Sequence, residues 1–208
     1  MEKSFIEELK HLNDSIVNMG SLCEKSIATA TKRLITGDEN LKRKAISLQK
    51  EIDEKERYIQ MLCVKLILKH PIDADLKMIN TAMNLVADME QIGEQGKDIA
   101  EISRFMQSDT EYVIAYHIAK MAKAVSSMVR EAVVSFVKKD LILAQQVISK
   151  DNEVDNLFLS VKNELLELIK KDSEKEGEIL ESLMIAKYLE RIGDFTVNIA
   201  KSVIELLN

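Results

Sequence analysis

Four pairs of side chains, each spaced i, i+4, are the strongest candidates for chemistry in this chain. They are Asp151-x-x-x-Asp155, Glu190-x-x-x-Asp194, Glu90-x-x-x-Glu94 and Gln49-x-x-x-Asp53. On a helix, residues four apart lie on one face, a turn from each other. Like charges placed so repel by a few tenths of a kcal/mol, so something should offset them. The donors are oxygen-only, with no His or Cys among them. Such a set suits a hard cation (Mg²⁺, Mn²⁺, Ca²⁺ or ferric iron) over a thiolate-type zinc site. The competing reading is a solvated acidic strip, neutralised by Lys50, Lys97, Lys150, Lys187, Arg191 and Lys201.

Other chemistry is sparse. No P-loop, GxSxG, HExxH or dinucleotide fingerprint occurs. His11, His70 and His117 are scattered. Glu8-x-x-His11 has di-iron spacing, but that site needs a second such motif on a facing helix, and the other two His lack a Glu three positions before. A carboxylate-bridged metalloenzyme is thus the weaker alternative, and a metal-free helical scaffold is the third. Cys23 and Cys63 have no CxxC spacing and read as buried structural cysteines in a reducing, cytoplasmic setting.

The elements that carry these acids follow from the punctuation. Apolar residues recur at helical spacing from Ile6 to Leu34, with Ser4-x-x-Glu7 read as an opening capping box. Gly37-Asp38 is a stop and a fresh cap; a second helix runs from about Glu39 to His70, where Pro71 ends it. A third reaches about Gln107, and Ser108-Asp109-Thr110 restarts the chain. Asp140 is a further cap, Asp172-Ser173 closes the fifth helix, and Ser173-x-x-Glu176 opens the sixth. Each helix has roughly 30 residues and is about 45 Å long. Short connections make neighbours antiparallel.

That geometry sharpens the acids. Asp155 and Glu190 stand at nearly equal distances either side of the turn near Ser173, as do Asp151 and Asp194. Around Pro71 the same holds for Asp53 with Glu90, and for Gln49 with Glu94. Each hairpin levels its acids at one height, four in the second half and three plus a Gln in the first. On a helical wheel Glu190 and Asp194 point away from the apolar face of the last helix. Gly93 and Gly193, inside helices at a cost of about 1 kcal/mol each relative to Ala, signal close helix approach beside the acids.

The two halves are copies. Glu90-Gln91-Ile92-Gly93-Glu94 matches Glu190-Arg191-Ile192-Gly193-Asp194, and upstream Met19 matches Met121 and Asp38 matches Asp140 after a two-residue shift. The fold is therefore read as all-α: two tandem, structurally similar three-helix bundles of six long antiparallel helices, residues 1–108 and 109–208. Composition agrees, with 46% hydrophobic residues, six Gly and a single Pro, too few turn formers for a sheet protein. A net charge of −6 argues against general nucleic-acid binding. No apolar run approaches the ~20 residues of a membrane span.

Leu189-Glu190-Arg191-Ile192-Gly193-Asp194 followed by Asn198-Ile199-Ala200 strongly resembles the signature of the PhoU family, LERIGD-x-x-x-NIA, which occurs once per half. Met89-Glu90-Gln91-Ile92-Gly93-Glu94 with Asp98-Ile99-Ala100 is its weakened first copy. Met19-Gly20, Asp53 and the turn Pro71-Ile72-Asp73-Ala74-Asp75-Leu76-Lys77 resemble further family signals. The resemblance implies a non-enzymatic regulator that negatively controls phosphate uptake and the phosphate-starvation response. It implies contact with the ATPase subunit of the phosphate ABC transporter and with a sensor histidine kinase, and leaves room for a homodimer. It also implies surface metal clusters, iron or zinc, on E(D)xxxD motifs. Carried over, the ligands are Asp151, Asp155, Glu190 and Asp194, then Asp53, Glu90 and Glu94. Glu94 stands where the family has Asp, and Gln49 where it has an acid, so the second-half site is expected to be the stronger.

Overall fold

The computed structural model describes residues 2–69, 73–103, 109–171 and 176–208, leaving aside the side chains of 2–4, 73–75, 109–113, 171 and 176. Six helices follow in order: α1 (Glu2–Thr36), α2 (Glu39–Lys69), α3 (Asp73–Ile102), α4 (Asp109–Lys138), α5 (Leu141–Lys171) and α6 (Glu176–Leu207). The expected all-α architecture is thus observed. Within each half the three helices pack on one another, and the halves join through α1 against α4 and α3 against α6. α2 and α5 are the outer helices.

The two helix ends at Gly37 and Lys139 show how the repeat is built locally. Gly37 has φ 66° and its N–H donates to the Arg33 carbonyl at 2.8 Å, ending α1. Asp38 then caps α2, accepting the Asn40 N–H at 2.9 Å. In the second half Lys139 takes the same left-handed conformation, φ 54°, without the freedom of glycine. Its N–H donates to the Phe136 carbonyl, and the Asp140 N–H to the Ser135 carbonyl. Asp140 accepts the Leu143 N–H at 2.9 Å and caps α5.

Two expected boundaries move. α1 runs back to Glu2, so Ser4 lies inside the helix and not at its cap. α3 ends at Ile102 and not near Gln107. The buried Arg33 guanidinium donates to Ser103 Oγ at 2.8 Å and to Glu39 Oε1 at 2.5 Å. It ties the ends of α1, α2 and α3 together at the point where α3 stops. The signals at His70–Ile72, Ser108 and Asp172–Ser173 lie outside the described residues.

The buried apolar residues form one continuous cluster that runs from Leu12 and Ile16 through Leu85 and Met89 to Met121, Val154 and Ile192. Two bundles therefore share one core. Close contacts set their approach. A Cβ on Gly20 would stand 3.1 Å from Val133, where α1 crosses α4. Arg130 of α4 pairs with Glu24 of α1. As the α1 numbering rises from 20 to 24, the α4 numbering falls from 133 to 130, so these helices are antiparallel. At Gly96 a Cβ would stand 2.3 Å from Ser26 Oγ and 3.3 Å from the α1 backbone. The absence of a side chain there lets α3 lie down on α1. Cys23 and Cys63 are buried and free. Among the described residues no helix is long and apolar enough to cross a membrane.

Candidate functional site: two carboxylate seams

The α5/α6 hairpin brings Asp151, Asp155, Glu190 and Asp194 together. Burial raises the Asp151 carboxyl to about 6, and the neighbouring charges of Asp155, Asp194 and Glu190 push it the same way. Three of the four acids thus act on the fourth through space. Asp194 is also raised, first by burial and then by Glu190. Lys187 of α6 pairs with Glu190. Lys150 is spent elsewhere, on Glu131 at 2.5 Å. Among the described residues Lys187 is the ion-pair partner of these acids, while Lys201 acts on Asp151 and Arg191 on Asp194 through space, so the carboxylates outnumber the cations around them.

The equivalent seam of α2 and α3 is arranged differently. Gln49, 5% exposed, donates its amide to Asp53 Oδ1 at 2.8 Å and to Glu90 Oε1 at 2.9 Å. Gln91 donates to the other Glu90 oxygen at 2.7 Å. Lys97 pairs with Glu94 and lies 3.7 Å from Asp98. Burial raises Glu90, assisted by Asp53 and Glu94. The Gln49 side-chain oxygen is buried with no hydrogen-bond partner among the described residues.

The glycines explain how the acids come so close. A Cβ on Gly93 would meet Gln49 Oε1 at 2.4 Å and Ile52 Cδ1 at 2.6 Å. One on Gly193 would meet Asp151 Oδ1 at 2.8 Å. In each repeat the outer helix lays a polar side chain on the bare backbone between the paired acids of its neighbour.

The levelling read from the hairpins is therefore met, and every candidate acid lies in one of the two seams. One acid escaped the sequence reading. Glu56 is raised by burial, then by Glu90 and Asp53, so it joins the first seam one turn along from Asp53. Its signal was Asp53-x-x-Glu56, an i, i+3 pair whose counterpart in the second half is Phe158. Asp88, two residues before Glu90, is half-buried and raised to about 6 by burial alone.

The remaining candidates find ordinary partners. His11 Nε2 and the Tyr58 hydroxyl share a hydrogen bond of 2.6 Å. Glu8 pairs with Lys65 and Lys69, at 3.5 and 2.5 Å. His117 stands 3.0 Å from Glu164. The Glu8-x-x-His11 motif is thus occupied by surface contacts. Among the described residues, no three His, Cys, Asp or Glu side chains already converge closely enough to grip one ion.

Fold and site together define a two-repeat helical bundle that carries a carboxylate seam on the outer hairpin of each repeat. Comparison with known proteins gives that class its family. The PhoU domain family matches residues 16–103 and again 118–203. A Clostridium acetobutylicum protein described as a phosphate-specific transport system accessory protein PhoU homolog is 33% identical over 99% of this chain and 94% of its own. The crystal structure of PhoU from Pseudomonas aeruginosa superposes with a TM-score of 0.88 at 30% identity, covering 98% of both chains. A PhoU structure from Streptococcus pneumoniae, at 23% identity, shares the fold with a TM-score of 0.86 over 97% of this chain and 96% of its own. The chain belongs to the PhoU family. It is a regulatory accessory protein of that family, not an enzyme.

Proposed function

We propose that the chain is a phosphate-transport adaptor: a cytoplasmic negative regulator of phosphate uptake and of phosphate-starvation signalling. It acts by docking rigid helical faces onto the ATPase subunit of the phosphate ABC transporter and onto a sensor histidine kinase. The observation that carries this reading is the match of both repeats to one family whose relatives are phosphate-transport accessory proteins.

Metal enters as a modulator of that docking. The oxygen-only donor set of Asp151, Asp155, Glu190 and Asp194 fits a cation. The fit rests on geometry: the hairpin lays Asp151 over Gly193, between Glu190 and Asp194, where burial first and then the charges of Asp155, Asp194 and Glu190 raise its carboxyl. Asp155 and Asp194 are exposed and free to turn toward a shared ion. A bound ion would supply positive charge, and iron or zinc are the candidates. Asp151 and Glu190 would hold it from the two sides of the hairpin. In the first repeat Asp53, Glu90 and Glu94 would do so less well, because the Gln49 amide already engages Asp53 and Glu90. Metal loading would change the charge of each seam by several units, enough to alter electrostatic complementarity with a partner.

Pull-downs with the transporter ATPase and the sensor kinase, at high and low phosphate, test the adaptor role. Retention of either partner supports it; capture of neither refutes it. Elemental analysis of protein purified without chelators tests the metal. Iron or zinc that disappears in the Glu190→Ala/Asp194→Ala variant supports the second seam, and metal-free protein refutes it.

A further inference from the structure

The geometry points to a docking groove for an acidic amphipathic helix of a partner protein, formed by α1 and α4 at the junction of the two repeats. This groove is separate from the carboxylate seams, which run between α2 and α3 and between α5 and α6. Its test does not depend on metal.

The groove has a volume of about 650 Å³ and runs along Ser21–Thr36 of α1. That stretch is about 22 Å, or four helical turns. Its floor is apolar and small: Ala28, Ala119 and Ala122 line it. Small residues let a third helix approach two others closely, the geometry of helix-in-groove recognition.

Its rim is cationic. Lys25 and Lys32 stand on the α1 side, Lys123 and Arg130 on the α4 side, all exposed. Each pair is spaced by seven residues, two helical turns or about 10 Å. Because the helices run antiparallel, Lys25 lies toward Arg130 and Lys32 toward Lys123. The four charges mark the corners of a rectangle around the alanine floor. Among the described residues Lys25, Lys32 and Lys123 make no ion pair, while Arg130 pairs with Glu24, the one acid lining the groove. A chain of net charge −6 thus gathers unmatched positive charge along one apolar trough.

The spacing selects the occupant. A small anion needs donors that converge on a point, and these diverge along two rows. A helix with an apolar stripe seats that stripe on the alanines, and acids spaced i, i+7 on both flanks meet the four corners.

The test is fluorescence anisotropy with a panel of labelled helical peptides, each carrying one apolar stripe flanked by Glu at i, i+7. Every peptide has a Lys-flanked and a stripe-scrambled counterpart. Two variants accompany the wild type: Lys25→Glu/Lys32→Glu/Lys123→Glu, which reverses the rim, and Ala28→Phe, which fills the floor without altering charge. Circular dichroism confirms that both fold. A Glu-flanked peptide should bind the wild type and lose at least about tenfold in affinity in either variant, with the charge-dependent part falling as salt rises. Its Lys-flanked and scrambled counterparts should not bind. The proposal is overturned if no Glu-flanked peptide binds the wild type, if binding is unchanged in both variants, or if the counterparts bind equally. It is also overturned if heparin or phosphatidylglycerol vesicles bind in the peptide's place with the same sensitivity to the variants.

Discussion

Gln49 and Asp151 hold equivalent positions in the two repeats, each laying a side-chain oxygen over the glycine between the paired acids of the next helix, Gly93 or Gly193. One is a neutral amide that donates to two carboxylates; the other is a carboxyl crowded by three. The same backbone frame therefore supports a seam bridged by an amide in one half and a seam of four carboxylates with no such bridge in the other.

The glycines that permit this approach should differ in their tolerance of a methyl group. Gly93→Ala forces its Cβ onto Gln49 and the buried Ile52, and Gly96→Ala forces it against Ser26 and the α1 backbone. Both should destabilise by about 1–3 kcal/mol. Gly193→Ala meets chiefly the end of the Asp151 side chain. There the gain in helix propensity, about 1 kcal/mol, offsets much of the clash. Urea denaturation of the three variants checks the order, with Gly193→Ala the mildest.

Lys139 occupies the left-handed conformation that Gly37 takes in the first repeat. Lys139→Gly should stabilise the protein by about 1 kcal/mol, since the penalty of that conformation for an L-residue disappears. Gly37→Ala should lose a similar amount by the same reasoning. The two shifts in Tm, opposite in sign, are read by thermal denaturation.

Metal-free protein should be more stable near pH 5 than near pH 7. Asp88 and Asp151 both titrate near 6 when folded, well above the ordinary Asp value. A raised carboxyl binds its proton more tightly in the folded state. Its contribution to stability therefore declines as pH rises between the unfolded and folded pKa values, and is level outside that window. Asp88→Asn and Asp151→Asn should each flatten the profile between about pH 4 and pH 7. Urea midpoints in the presence of chelator, measured across that range, provide the check; a profile unchanged in both variants contradicts the assignment.

Neither cysteine should react with a thiol reagent in the native protein. Burial raises the Cys23 thiol well above its usual range, and it donates to the Met89 carbonyl at 3.2 Å. Burial lifts Cys63 to about 11. Thiolate is the reactive form, so labelling should be negligible when folded and reach both residues in denaturant.

Periodicity and punctuation determined the six helices, to within their ends, and the repeat; the resemblance to the family rested on the signature residues 189–194 with Asn198-Ile199-Ala200. Gly37-Asp38 and Asp140 are local signals whose hydrogen bonds close within a few residues, so no distant partner was needed to read them. Hairpin arithmetic even levelled the acids, because an antiparallel pair of regular helices has no freedom in register once its turn is placed. What pattern cannot encode is which helix a face will meet. Arg33 arrives from α1 to meet Ser103 just past the end of α3 at Ile102, and Glu56 feels burial first and then Glu90 across the hairpin; both are long-range relationships. The single shared core and the cationic α1/α4 groove exist only because two three-helix units pack on each other. A helix's sequence states how much of it must be buried, whereas the partner, and with it every through-space charge effect, is decided by tertiary packing.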